Sequence, residues 1–295
     1  MSFPISSLPA SHCDLLRIRG LRYHVRRWGD ARLPMLFLGH GWLDVSATFA
    51  PLIAPLLDRW QVLAPDWRGF GHTQWPQDGY WFADYLADLH ALLAHYSADA
   101  PVVLAGHSMG AQIMSVYAGL HPQRARALIV LDGLYMPDSP AETAPDKLRR
   151  WMQRWPGETR DRVYPSFEVL ARRVRAKHSQ LSSEQALFIA RCWAAADGYG
   201  QIRLLADPKH HLPSAVPYRA AESLAVWRHI TAPTLFIDGA DSPFRKMLSP
   251  EQALERRACF QQRHEISIEG AGHMLHFDAP LPTARAMADF LSDLP

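Results

Sequence analysis

The sequence predicts an α/β protein: a mostly parallel central sheet with helices on both faces, interrupted by one inserted helical cap. Three observations carry this. Short apolar runs end in Gly- or Asp-containing turns, as strands buried on both faces do. Helix-like stretches separate most of those runs. One stretch of about ninety residues has no such strand and is too long for an ordinary crossover.

The elements follow in chain order. Residues 15–28 read as two short strands around Gly20. Met35–Leu38 leads into Gly39-His40-Gly41, Val62–Ala64 into Pro65-Asp66, and Val102–Ala105 into Gly106. Ala127–Leu131 leads into Asp132-Gly133, Thr234–Ile237 into Asp238-Gly239, and Ile266–Ile268 into Glu269-Gly270. Helix-like stretches cover 80–96, 108–120, 249–261 and 281–293. Residues 1–134 and 226–295 thus form the expected core. Residues 135–225, rich in Arg, Trp and Pro, form the expected cap, with no convincing buried strand.

Composition narrows the class. The chain has 295 residues, 48% hydrophobic and 20% charged, enough apolar content for a sizeable core. A net charge of +2 gives no global reason to expect nucleic-acid binding. That balance hides an asymmetry. Between Lys147 and Lys177 ten Lys/Arg stand against three Asp/Glu, a local +7 that leaves −5 for the remainder. A solvated helix face explains it, and so does a patch for acyl-CoA, an acyl carrier or acidic lipid headgroups. Three distant cysteines, Cys13, Cys192 and Cys259, imply neither a disulfide framework nor a Cys-based zinc site. His-Glu-x-x-His is absent, so no metal and no cofactor is expected. Without a signal-peptide pattern or an eighteen-residue apolar window, the expected location is the cytoplasm. Nothing here fixes the oligomeric state.

The chemistry concentrates at Gly106-His107-Ser108-Met109-Gly110, a G-x-S-x-G elbow between a strand-like and a helix-like run. Such a turn exposes a serine oxygen above the sheet, at a helix N-terminus that favours developing negative charge. A serine hydroxyl needs a base. His273, in Gly270-Ala271-Gly272-His273-Met274, follows the last strand-like run and is the candidate. The amides of Trp42 and Met109 are the candidate oxyanion donors. The acid that orients His273 is either Asp132, after Ala127–Leu131, or Asp241, after Thr234–Ile237, with Asp238 a weaker candidate. His40, Met136, Trp151, Trp155, Phe188 and Trp193 are candidate pocket lining, each equally suited to plain core packing. His107 flanks the nucleophile, His276 supports the loop, and His210-His211 belong to the surface or the pocket.

These motifs, together with His40-Gly41-Trp42-Leu43-Asp44 and Asp66-Trp67-Arg68-Gly69-Phe70-Gly71-His72, resemble the α/β-hydrolase superfamily over essentially the whole chain. The oxyanion loop and Leu131-Asp132-Gly133-Leu134 are similar to its serine-hydrolase-like esterase branch. The superfamily's frequent acid position after the later strand is held here by Ser242, which the resemblance takes as favouring Asp132 over Asp241. It implies hydrolysis of small to medium carboxylic esters through an acyl-enzyme, with thioester or lysophospholipid hydrolysis as the alternative. A non-hydrolytic or C–C-cleaving member of the fold is a third reading. Haloalkane dehalogenases and epoxide hydrolases need Asp where this chain has Ser108.

Overall fold

The computed structural model describes residues 3–154 and 162–294. The strands are β1 (His12–Ile18), β2 (Leu21–Trp28), β3 (Met35–Gly39), β4 (Gln61–Pro65), β5 (Val102–His107), β6 (Ala125–Leu131), β7 (Val163–Tyr164), β8 (Ala194–Ala196), β9 (Ile202–Leu204), β10 (Thr234–Gly239) and β11 (Arg263–Ile268). The helices are α1 (Ala50–Ile53), α2 (Phe82–Ser97), α3 (Met109–Leu120), α4 (Ala144–Arg154), α5 (Phe167–Lys177), α6 (Ser183–Trp193), α7 (Ala220–Trp227), α8 (Pro250–Ala258), α9 (Leu275–Asp278) and α10 (Pro280–Ser292).

Eight strands form the main sheet in the order β1-β2-β4-β3-β5-β6-β10-β11. Pairing is parallel from β4 through β11, and antiparallel only for β1 with β2 and β2 with β4. The alternation of side chains sends neighbouring residues into two different cores. Leu104, Leu128, Val130 and Phe236 pack under α2, α3 and α7. Val103, Ala105, Ile129, Leu131 and Ile237 pack against α1 and α10 on the other face. Each such leucine, wholly removed from water, contributes about 1.5–3 kcal/mol. β5 lies between β3 and β6, which places Ser108 near the middle of the sheet's carboxyl edge.

Two expectations need correction. β11 begins at Arg263 rather than Ile266 and is mostly exposed, because it closes one edge of the sheet and has a neighbour on one side only. The segment between β6 and β10 also contains strands: β7, β9 and β8 form a three-stranded antiparallel sheet. They are two or three residues long, too short to show a period. Around them Leu170, Val174, Leu181, Ile189 and Ile202 form a small separate core, to which Phe277 of α9 contributes. Ser166 caps α5, and a Ser182/Gln185 capping box starts α6, devices worth about 1 kcal/mol each.

Candidate active site

Ser108 joins β5 to α3 at φ 51°, ψ −113°, a backbone region that costs a non-glycine residue about 1–3 kcal/mol. Its neighbours hold it there. The Ser108 amide donates to the Leu131 carbonyl at 3.1 Å, and the Ser108 carbonyl accepts from Gln112 at 3.1 Å. A side chain on Gly106 would collide with the backbone of Gly110, and one on Gly110 with the Gly39 carbonyl. The two glycines of the elbow are therefore what lets α3 start so close to both the turn and the loop after β3.

That loop reaches the serine from the other side. A Cβ on Gly41 would stand 3.2 Å from Ser108 Cβ, so the Trp42 amide lies in the loop adjoining the nucleophile position. Met109 is the first residue of α3, and its amide has no acceptor within the helix. The Trp42 indole is 50% exposed and meets His211 edge-on at 5.4 Å.

His273 lies between β11 and α9. Its Nδ1–H donates to Asp132 Oδ2 at 2.6 Å. Asp132 is buried and accepts two further bonds, from the Gly239 amide at 3.0 Å on Oδ1 and from the Ser242 hydroxyl at 2.5 Å on Oδ2. Asp241, by contrast, is exposed, with its amide on the Ala271 carbonyl. Asp238 is paired with Arg257 at 2.7 Å. Phe244, which the sequence reading missed, packs against the His273 ring, tilted by 31° with the centroids 4.0 Å apart.

Behind these groups lies a buried polar set. His107 Nε2–H donates to the His273 carbonyl at 2.8 Å. Burial, with the neighbouring His273 and His276, pushes the His107 imidazole well below its ordinary range, so it is neutral. His276 Nε2 is 2.9 Å from Asp44 Oδ2. Asp44 Oδ1 accepts from Thr48 at 2.9 Å and from the Trp193 indole at 2.7 Å. Burial opposes the Asp44 charge, yet the bond and charge of His276, then His40 and Trp193, hold its carboxyl below the usual range. Among the described residues, Asp44, His107 and His276 are the group whose donor atoms, within 4.8 Å of one another, could take a metal ion. His107 Nδ1 and His276 Nδ1 are buried without a hydrogen-bond partner.

The remaining pocket candidates are dispersed. His40 is fully buried beneath its loop, accepting from the Trp67 amide at 2.9 Å. Trp193 is engaged with Asp44, and Trp151 lies 6.0 Å from Trp81. Met136 is 58% exposed, and its carbonyl accepts from Arg256. Trp155 lies outside the described residues. Phe188 lines a cavity of about 290 Å³ with Arg26, His72 and Arg191, but neither Ser108 nor His273 borders it. His210 is stacked between Phe70 at 3.9 Å and Tyr80 at 3.7 Å, and burial pushes it down to about 3.

Comparison with known proteins agrees with this layout. Residues 34–280 match the model of the alpha/beta hydrolase fold family. A serine hydrolase-like protein of Danio rerio is 24% identical over 277 residues, 90% of this chain and 83% of the relative. The 2-(acetamidomethylene)succinate hydrolase of Mesorhizobium japonicum is 25% identical over 272 residues, 91% of each chain. Among solved structures, a thioesterase domain from the curacin biosynthetic pathway aligns with a TM-score of 0.84 at 24% identity, covering 96% of this chain and 99% of that one, a likeness of fold. Among the described residues no helix is long and apolar enough to cross a membrane. The family match spans most of the sequence and the sheet carries its serine elbow at the carboxyl edge, so this chain belongs to the α/β-hydrolase fold family.

Proposed function

We propose that this protein is a serine hydrolase that cleaves carboxylic esters of small to medium acyl groups through an acyl-enzyme. The observation that carries the reading is the 2.6 Å bond between His273 Nδ1 and the buried Asp132 carboxylate. It fixes the imidazole with its Nε2 lone pair available as a base. Ser108 attacks the ester carbonyl while His273 takes its proton. The Trp42 and Met109 amides stabilise the oxyanion, about 2.7–4 kcal/mol for each donor in sites of this kind. His273 then protonates the leaving alcohol and activates water against the acyl-enzyme. Asp132 holds the tautomer and stabilises the imidazolium. The mechanism calls on neither metal nor cofactor, and the segment 135–225 serves as the cap that limits what enters.

A thioester or lysophospholipid substrate is the second reading. It is favoured by α4, which has no buried residue and presents Arg149, Arg150 and Arg154 beside exposed Leu148 and Met152. Cations next to apolar side chains suit an acyl group tethered to an anion. The test is a series of p-nitrophenyl esters of rising chain length beside acyl-CoA substrates, with fluorophosphonate labelling of Ser108. Labelling abolished by S108A, with ester turnover, is expected. No labelling and no turnover of either substrate class would overturn the hydrolase reading.

A further inference from the structure

Asp44, His276 and His107 are buried titratable groups that the proposed chemistry does not use. Burying such groups is costly unless they are bonded, and the bonds they make converge on one segment. His107, on the elbow, holds the carbonyl of His273 itself. Asp44, on the loop after β3, holds His276 three residues further on. The imidazoles of His107 and His276 lie 4.8 Å apart, and His107 lies 4.6 Å from His273. Gly270 (φ +70°) and Gly272 both precede His273, on the loop that leads from β11 into α9. The third link comes from the inserted segment. The Trp193 indole, on α6, donates to the Asp44 oxygen that His276 leaves free, and its ring meets Phe277 at 6.2 Å. Further along α9, Asp278 Oδ1 is bonded by His178 at 3.1 Å and by Gln180, both from the same segment.

We propose that Asp44, His276 and His107 are positioning residues for His273, and that the Trp193 indole makes their arrangement depend on the inserted segment being seated. The proposal rests on the serine-hydrolase reading. His107 and His276 hold the base from behind while Asp132 orients it from the side. Losing an anchor lets the imidazole drift from Ser108, and a displacement of about 1 Å costs on the order of a hundredfold in rate. The other titratable groups packed against the set are Asp132 beside His273, His40 beside Asp44 and His107, and Cys192 near Asp44.

The experiment uses the full-length chain and its W193F, H276L and H276Q variants. Trp193→Phe keeps an aromatic ring and removes only the indole donor. His276→Gln offers an amide N–H in place of imidazole Nε2–H, and His276→Leu offers none. Expected on p-nitrophenyl butyrate is a fall in kcat of about tenfold for W193F and about thirtyfold or more for H276L, with KM within about twofold and H276Q within about threefold of the parent. The downfield proton resonance of His273 Nδ1–H should shift or broaden in W193F and H276L and stay in place in H276Q. If H276L fails to fold, W193F and its proton spectrum carry the test. Unchanged kcat and resonance in W193F, or equal losses in H276Q and H276L, overturn the proposal. A parent that neither labels with fluorophosphonate nor turns over esters would instead defeat the hydrolase reading, while the His273 resonance still tests the positioning claim.

Discussion

Asp132→Asn is the substitution whose outcome the hydrogen-bond network dictates most tightly. The Gly239 amide donates to Asp132 Oδ1 at 3.0 Å, and a main-chain donor cannot reverse its role. An Asn side chain must therefore aim its carbonyl oxygen at Gly239. Its NH2 group then faces His273 Nδ1 and the Ser242 hydroxyl, which now bond Oδ2 at 2.6 and 2.5 Å. The hydroxyl can rotate and accept. The imidazole can accept only by moving its proton to Nε2, the nitrogen that takes the proton of Ser108 in the proposed mechanism. D132N should thus fold as the parent does and hold the wrong tautomer. The expected loss in kcat is about 10³–10⁴, or about 4–5.5 kcal/mol of transition-state stabilisation. The assay is steady-state hydrolysis of p-nitrophenyl butyrate at pH 7.5, with thermal unfolding as the folding control and D241N as the comparison, expected within about twofold of the parent. D132N retaining more than a tenth of the parent kcat, or D241N losing as much as D132N, would refute the reasoning.

Three further outcomes follow from the same structure. Reversing two exposed charges in R149E/R150E should raise KM for an acyl-CoA by about tenfold and change KM for a neutral p-nitrophenyl ester less than twofold; equal changes on both would remove α4 from substrate recognition. His210, held at about 3 against an ordinary 6.5, takes up a proton on unfolding between those values, so it withdraws stability as pH falls through that window. Denaturant titrations should show the parent losing about 2 kcal/mol more than H210F between pH 7 and pH 5, and parallel losses would count against the buried stack. Gly110→Ala drives a methyl group into the Gly39 carbonyl and should cost about 2–4 kcal/mol with loss of fluorophosphonate labelling; a variant with the parent's melting temperature and labelling rate would contradict the close approach.

What could be read in the chain divides by the range of the signal. Gly106, Ser108 and Gly110 are legible because a strand, a turn and a helix start within ten residues of one another. His273 is a candidate from the order of the elements and Asp132 from its place at the end of β6, but which carboxylate meets the imidazole is a long-range contact: it is Asp132 that bonds His273, 141 residues away. Asp44 and His276 are 232 residues apart, and no periodicity links a buried carboxylate to its imidazole partner at that distance. Phe188 and Trp193 have an apolar character that suits a pocket and a core alike, and both pack, partly buried, against the small separate core. Strands β7 to β9 are shorter than any alternating pattern needs, and β11 is an edge strand whose exposure hides its start.

The return of the inserted segment has a consequence for how such a chain can vary. Phe70 pairs with Ala206, the Asp207 amide donates to the Gly69 carbonyl at 2.8 Å, and the Tyr80 hydroxyl donates to Asp207 at 2.7 Å. This seam ties the later part of the segment to the core, whereas α4, near its beginning, buries no residue. The exposed positions of residues 144–154, apart from Lys147 and Trp151, can therefore be exchanged at little cost in stability, while exchanges at 202–210 must preserve the seam. Variation in the first stretch thus leaves the seam, and the bonds around Ser108 and His273, in place.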